Sequence, residues 1–206
     1  MSKRRRKPRG NPANPEPTRP SQRMAKPAPA QQGSPRILVY ALLTVAVLTG
    51  LYLHAYAMPQ LTYFADGLPM PDARVSGYDA ADITALRAAL EDDAAGQLNF
   101  LHRTAGIIFP VALFLAAWAV FGLLARGRWR WAVVAGAGVF VVVDITESFL
   151  IDRILVQDPL QPELVAAAST LTMLSWVLLV VIGTVVAVFV AVDAVALRKG
   201  PNQQGS

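Results

Sequence analysis

Val141-Val142-Val143-Asp144-Ile145-Thr146-Glu147-Ser148-Phe149-Leu150-Ile151 places two carboxylates three residues apart in a stretch otherwise apolar enough to cross a bilayer. Residues i and i+3 neighbour one another on a helix face, so Asp144 and Glu147 point the same way. Ionisable side chains inside a membrane face protein or water, not acyl chains. The stretch therefore predicts a helix in a bundle, with an acidic site in the bundle's interior.

Composition agrees with a membrane bundle. The chain has 206 residues, 54% of them hydrophobic, yet carries a formal net charge of +5. Mean hydropathy is +0.40 and the pI about 9.9. Such values coexist when long apolar runs alternate with charged segments that stay in water. No cysteine is present, which excludes disulfides, thiolate metal sites and thiol redox relays, and with them the quinone-coupled disulfide enzymes built on four helices.

Working outward from the acid pair, four spans emerge, about 37–57, 104–125, 131–151 and 164–197. Each is long enough for one crossing, which takes about 20 residues. The first carries Ala46 and Gly50 at small-xxx-small spacing, with His54 one turn on. Ala55-Tyr56-Ala57 has the small-residue pattern of a signal-peptidase site, but the basic region before the span is too long for a signal n-region, so the span is read as retained. The second follows His102 and Arg103 and contains Pro110, which leaves the Gly106 carbonyl without its helical donor and predicts a kink. The fourth has Ser169, Thr172, Ser175 and Trp176 in one half and Gly183, Ala187 and Ala191 in the other.

Residues 1–36 hold ten Lys and Arg, one acid and eight prolines. They read as a disordered basic tail that orients the first span and touches anionic lipid headgroups; nucleic acid is not its expected partner. Arg126-Gly127-Arg128-Trp129-Arg130 joins two spans by a turn with three arginines. With both termini and this turn on the cytoplasmic side, fifteen Lys/Arg lie inside and four outside, a well-determined topology with residues 198–206 as a cytoplasmic C-terminal tail. Asp193 then lies near the inner end as an interfacial charge.

Residues 58–101 form an outer loop rich in acids (Asp66, Asp72, Asp79, Asp82, Glu91, Asp92, Asp93). Turn-forming Gly and Pro crowd its first half. Asp79 is placed to cap a helix, with Asp82 near its positive end and Ile83, Leu86 and Leu90 as an apolar stripe. The expected architecture is all-α: a four-transmembrane-helix up-down bundle with a short amphipathic helix in the first outer loop. It brings His54, His102, Arg103, Asp144 and Glu147 to the outer half.

Gly67-Leu68-Pro69-Met70-Pro71-Asp72-Ala73-Arg74-Val75-Ser76-Gly77-Tyr78, the Phe109-Pro110 pair and Asp144-x-x-Glu147 occur in this order over residues 37–197. In that arrangement the chain resembles a group of uncharacterised four-helix bacterial integral membrane proteins with Pro-Asp-x-Arg-x-x-Gly-Tyr outside and Asp-x-x-Glu-Asn in the membrane. Ser148 stands here at the Asn position. The resemblance implies a multi-pass protein of the bacterial plasma membrane and marks Asp72, Arg74, Gly77 and Tyr78 as a loop motif. It implies no reaction.

Three uses of the acid pair remain open. Glu147 pairs with Arg103 while Asp144 bonds a hydroxyl of the fourth span, which would make the acids structural. Alternatively, the pair receives a proton, cation or small polar ligand. A metal or haem site would need His54 or His102 with the carboxylates, and two isolated histidines lack ligand spacing, so no metal or cofactor is expected. Nothing resembles a nucleophile, phosphate loop or cofactor box. The functional expectation is a binding or accessory protein in preference to a membrane enzyme, forming homo-oligomers or joining a larger membrane complex through its small-residue stripes. The alternative is a proton- or cation-coupled transporter using Glu147 and Asp144.

Overall fold

A computed structural model describes residues 34–90 and 93–198. The basic tail, Glu91, Asp92 and the C-terminal residues lie outside the described residues. The elements are α1 (Pro35–Leu51), a π-helical turn (Tyr52–Ala57), α2 (Met58–Tyr63), a 3-10 turn (Pro71–Ala73), α3 (Ala80–Ala89), α4 (Ala94–Arg103), α5 (Ala105–Leu123), α6 (Arg130–Val156) and α7 (Pro162–Arg198). No strand occurs among the described residues. Four helical stretches are long and apolar enough to cross a membrane: Arg36–Tyr63, Ala94–Leu123, Arg130–Val156 and Pro162–Ala196. The chain is an all-α, multi-pass membrane protein.

Successive spans run antiparallel, with α5 against α1, α6 against α5 and α7 against α6. Both ends of the described chain meet at one end of the bundle, where Arg36 Nε lies 3.6 Å from Asp193 Oδ2. Asp193 is thus an ion-pair partner of the first span. At this same end Arg130 Nη1 donates to the Ala125 carbonyl at 3.1 Å, satisfying an acceptor that the α5 C-terminus leaves open. One core cluster, including Leu53, Phe109, Val120, Phe121, Phe140 and Ile182, fills the bundle here and through its middle. A second, including Met58, Leu61, Met70, Leu86, Leu98, Ile151 and Val165, lies beneath the 64–93 loop.

That second core explains why the spans outrun the sequence expectation. Met58–Tyr63 and Ala94–Arg103, expected in the loop from hydropathy, are helices in which buried Met58, Leu61, Leu98 and Leu101 alternate with exposed Gln60, Gln97 and Arg103. Averaging over a window cancels such a pattern. Similarly α6 continues past Ile151 to Val156, because Ile151, Ile154 and Leu155 are buried at helical spacing.

Two irregularities interrupt the first two spans. Pro59 has no N–H for the Ala55 carbonyl, and the helix before it widens to a π turn in which Met58 N–H reaches the Leu53 carbonyl. His54 sits in that turn. In the second span helical geometry breaks at Thr104 (φ −115°, ψ −92°), whose Oγ1 donates to the Phe100 carbonyl at 2.7 Å. Helix α5 then runs as α-helix through Pro110, so this break lies between one and two turns before the proline.

The loop is docked on the bundle. Asp79 caps α3 through Oδ1, which accepts from the N–H groups of Ala81 and Asp82 at 2.9 Å, while Asp82 Oδ2 accepts from Asp79 N–H at 3.0 Å. Ile83 and Leu86 are buried, the apolar stripe read from the sequence. Gly77 adopts φ +85°, and a Cβ there would stand 2.8 Å from Ser169 Oγ. Only glycine meets both demands. The close approach lets Tyr78 N–H donate to Ser169 Oγ at 2.9 Å.

Candidate functional site

A cavity of about 40 Å³ lies under the loop, lined by His54 of the π turn, Asp72 of the loop, His102 and Phe109 of the second span, Asp144 and Glu147 of α6, and Trp176 of α7, among others. This is room for about one or two waters or a small ion. Both acids of α6 therefore face the interior and not the bilayer. Glu147 is 4% exposed and faces the hydroxyls of Ser175 and Thr172.

His102 is the hub above them. Its Nε2 lies 2.9 Å from Asp72 Oδ1 and its Nδ1 2.6 Å from Asp152 Oδ1. An imidazolium donates at both nitrogens, whereas a neutral ring donates at one. Asn99 Nδ2 donates to Asp152 Oδ2 at 2.6 Å, which fixes the second carboxylate in turn. Asp72 is held by Trp176 Nε1, which donates to its backbone carbonyl at 2.9 Å. Burial pushes the Asp72 carboxyl upward, but the charge and hydrogen bond of His102, a backbone hydrogen bond and the charge of His54 outweigh it. The net effect holds the carboxyl below its usual range. Its Oδ2 is buried and has no hydrogen-bond partner among the described residues.

The loop motif divides its labour. Asp72 reaches the cavity, whereas Arg74 turns away to Asp82 Oδ1 at 2.7 Å and to the Pro69 carbonyl at 3.2 Å. The Asp79 N–H, and after it Arg74, hold the Asp82 carboxyl below its ordinary value. Tyr78 is buried, with its hydroxyl 3.4 Å from Thr172 Oγ1. Burial pushes its phenol well above the usual value, against the Thr172 hydrogen bond and with the negative charge of Asp72 and Glu147 adding to the rise.

Of the residues singled out from the sequence, His54, His102, Asp72, Asp144 and Glu147 converge on one cavity. Arg103 does not join them. It is exposed, and among the described residues no ion pair links it to Glu147. The neighbouring residue, His102, occupies the cationic position instead, because the α4 face that carries Leu98 and Leu101 turns inward and takes His102 with it. Gly106, whose carbonyl Pro110 cannot serve, lines the same cavity.

Asp152, Asn99 and Trp176 complete this site. Asp152 lies one residue past the end of the third span expected from hydropathy. Its spacing of eight from Asp144, with Ser148 between at four, repeats the helix face and was the available signal. Among the described residues no group of three or more His, Cys, Asp or Glu side chains is arranged to hold a metal ion. No protein-family model, curated protein or solved structure matches the chain.

Proposed function

We propose that this membrane protein is of the binding type and that its acidic cavity takes up a proton or a small cation. The observation that carries this reading is the imbalance of charge around a space of about 40 Å³. Asp72, Asp144 and Glu147 line it with His54 and His102, and His102 is already shared between Asp72 and Asp152. Two of these carboxylates come from one turn of α6 and the third descends from the loop. Three carboxylates confined in a low-dielectric space repel one another, and a proton or cation relieves that repulsion. Asp72 Oδ2, without a hydrogen-bond partner among the described residues, is a further acceptor for such a ligand.

The excess of Lys and Arg at the end bearing Arg36 and the Arg126–Arg130 turn supports cytoplasmic termini, with the cavity toward the opposite face of a bacterial plasma membrane. The loop sequence, Phe109-Pro110 and Asp144-x-x-Glu147 support a place among the four-helix bacterial proteins the chain resembles. Assembly through the α1 stripe has less support, since Ala46 is buried and Gly50 meets the ring of Phe109 of the same chain.

Coupled transport is the second reading. The π turn at His54 and the break at Thr104 favour it, because both lie where spans would flex beside the cavity. Transport further requires a path past Phe109 and Phe140, whose rings stack edge to face at 6.2 Å across the core.

Infrared difference spectroscopy of the purified protein in nanodiscs tests the binding reading. A carboxylic-acid C=O band that responds to pH, and diminishes when sodium or potassium is raised at fixed pH, is expected for the wild type. It should be lost in Asp144→Asn and Glu147→Gln. A band unchanged in both variants would overturn the assignment.

A further inference from the structure

Helices α1 and α7 scarcely touch, α1 packing on α5 and α7 on α6. Between them opens a crevice of about 650 Å³, within the range of small-molecule sites. Its walls are aliphatic, including Leu43, Val47, Leu113, Val186 and Val190. The gap exists because small residues line it. Gly183 and Gly50 face it, and a Cβ on Gly183 would meet nothing within 4 Å.

The crevice ends at the acidic cavity. His54, Phe109, Trp176 and Leu179 line both spaces. At this throat the His54 ring stands 5.1 Å from Trp176 and 5.7 Å from Phe109, centroid to centroid. Trp176 is fixed there because its indole N–H is committed to the Asp72 carbonyl.

We infer that this crevice admits a lipophilic cation from the bilayer, its apolar body between α1 and α7 and its positive centre at the His54–Phe109–Trp176 throat. The inference rests on the cavity being a cation-attracting site and names a second, larger class of cation held at its mouth. Acyl chains are as apolar as the crevice walls, so moving an apolar body into it gains little. Selectivity must come from the polar end. At that end stand aromatic faces and, behind them, Asp72, Asp144 and Glu147. Aromatic faces attract cations, and the carboxylates repel phosphate, carboxylate or carbonyl-bearing headgroups. With the Trp176 N–H already used, His54 alone could donate to an acceptor head, whereas the charge pattern suits a positive one.

The probes are tetraphenylphosphonium and its near-isosteric anion tetraphenylborate, with binding measured by equilibrium dialysis of nanodiscs holding the full chain against empty nanodiscs. Saturable binding of the phosphonium alone is expected. It should weaken by about tenfold or more in Gly183→Phe, which fills the crevice without touching a carboxylate, while the carboxylic-acid infrared band stays as in the wild type. Should Gly183→Phe fail to fold, Ala187→Phe, exposed on the same wall, asks the same question. Equal saturable binding of the borate, no saturable binding of the phosphonium, or unchanged phosphonium binding in the folded crevice variant would overturn the inference and leave the cavity reading standing. Loss of the infrared assignment would sink the cavity reading itself.

Discussion

His102 Nδ1 and Asp152 Oδ1 lie 2.6 Å apart, joining the second span to the third at one end of an acid–histidine–acid chain. With Asp72 on the opposite ring nitrogen at 2.9 Å, the histidine ties two spans and the loop into one electrostatic unit.

Removing one partner from a buried charged network strands the others, at a cost of about 3–5 kcal/mol in proteins generally. Asp152→Ala is therefore expected to destabilise strongly, since both His102 Nδ1 and Asn99 Nδ2 lose their acceptor. Arg103→Ala, at an exposed position, should change stability by no more than about 0.5 kcal/mol. Unfolding in mixed detergent, followed by circular dichroism, compares the two. Equal losses would contradict the placement of His102 as the cationic partner.

Gly77→Ala should loosen the loop. The new Cβ meets both a positive φ and Ser169 Oγ at 2.8 Å, a combination costing about 1–3 kcal/mol. Limited proteolysis should then cut between residues 64 and 93 faster than in the wild type. Ser169→Ala keeps the backbone but removes the acceptor of Tyr78 N–H, and should give a smaller acceleration.

Loop docking should fail in acid. The Asp72 carboxyl is held below its ordinary value by His102 and His54 against the opposing effect of burial. A carboxyl whose folded pKa is depressed contributes stability that is complete above the unfolded value, about 3.9. That stability is lost as pH falls through the lower folded value. Asp82, also depressed, acts in the same direction through Asp79 N–H and Arg74. In a variant retaining Trp176 as the sole tryptophan, fluorescence should report an acid transition below about pH 4 that Asp72→Asn removes. A transition that persists in Asp72→Asn would contradict the assignment of loop docking to this carboxyl.

How much of this was legible depended on what the local sequence exposes. The long apolar runs of α5 and α7, and the Asp79–Asp82 cap with Ile83 and Leu86 behind it, carry their structure in their own spacing. The inward direction of Asp144 and Glu147 followed from the cost of facing lipid. Amphipathic helix ends did not show in hydropathy, because Gln60, Gln97 and Arg103 offset the buried Leu61 and Leu98. Choosing Arg103 over His102 as partner is a matter of one residue, a rotation of about 100° on a helix. Only packing of α4 against α6 decides it. The Trp176–Asp72 bond joins residues 104 positions apart, and no local pattern announces such a contact.

Labelling with a hydrophobic carbodiimide, which reacts with carboxyls that carry a proton in an apolar setting, addresses the acidic cavity most directly when the adducts are mapped by mass spectrometry. Adducts on Glu147 or Asp144, suppressed by raising sodium or potassium and absent from exposed Asp66 and Asp79, are the expected result. Labelling confined to the exposed acids, with Glu147 and Asp144 unmodified under every condition, would contradict a proton or cation held inside the bundle.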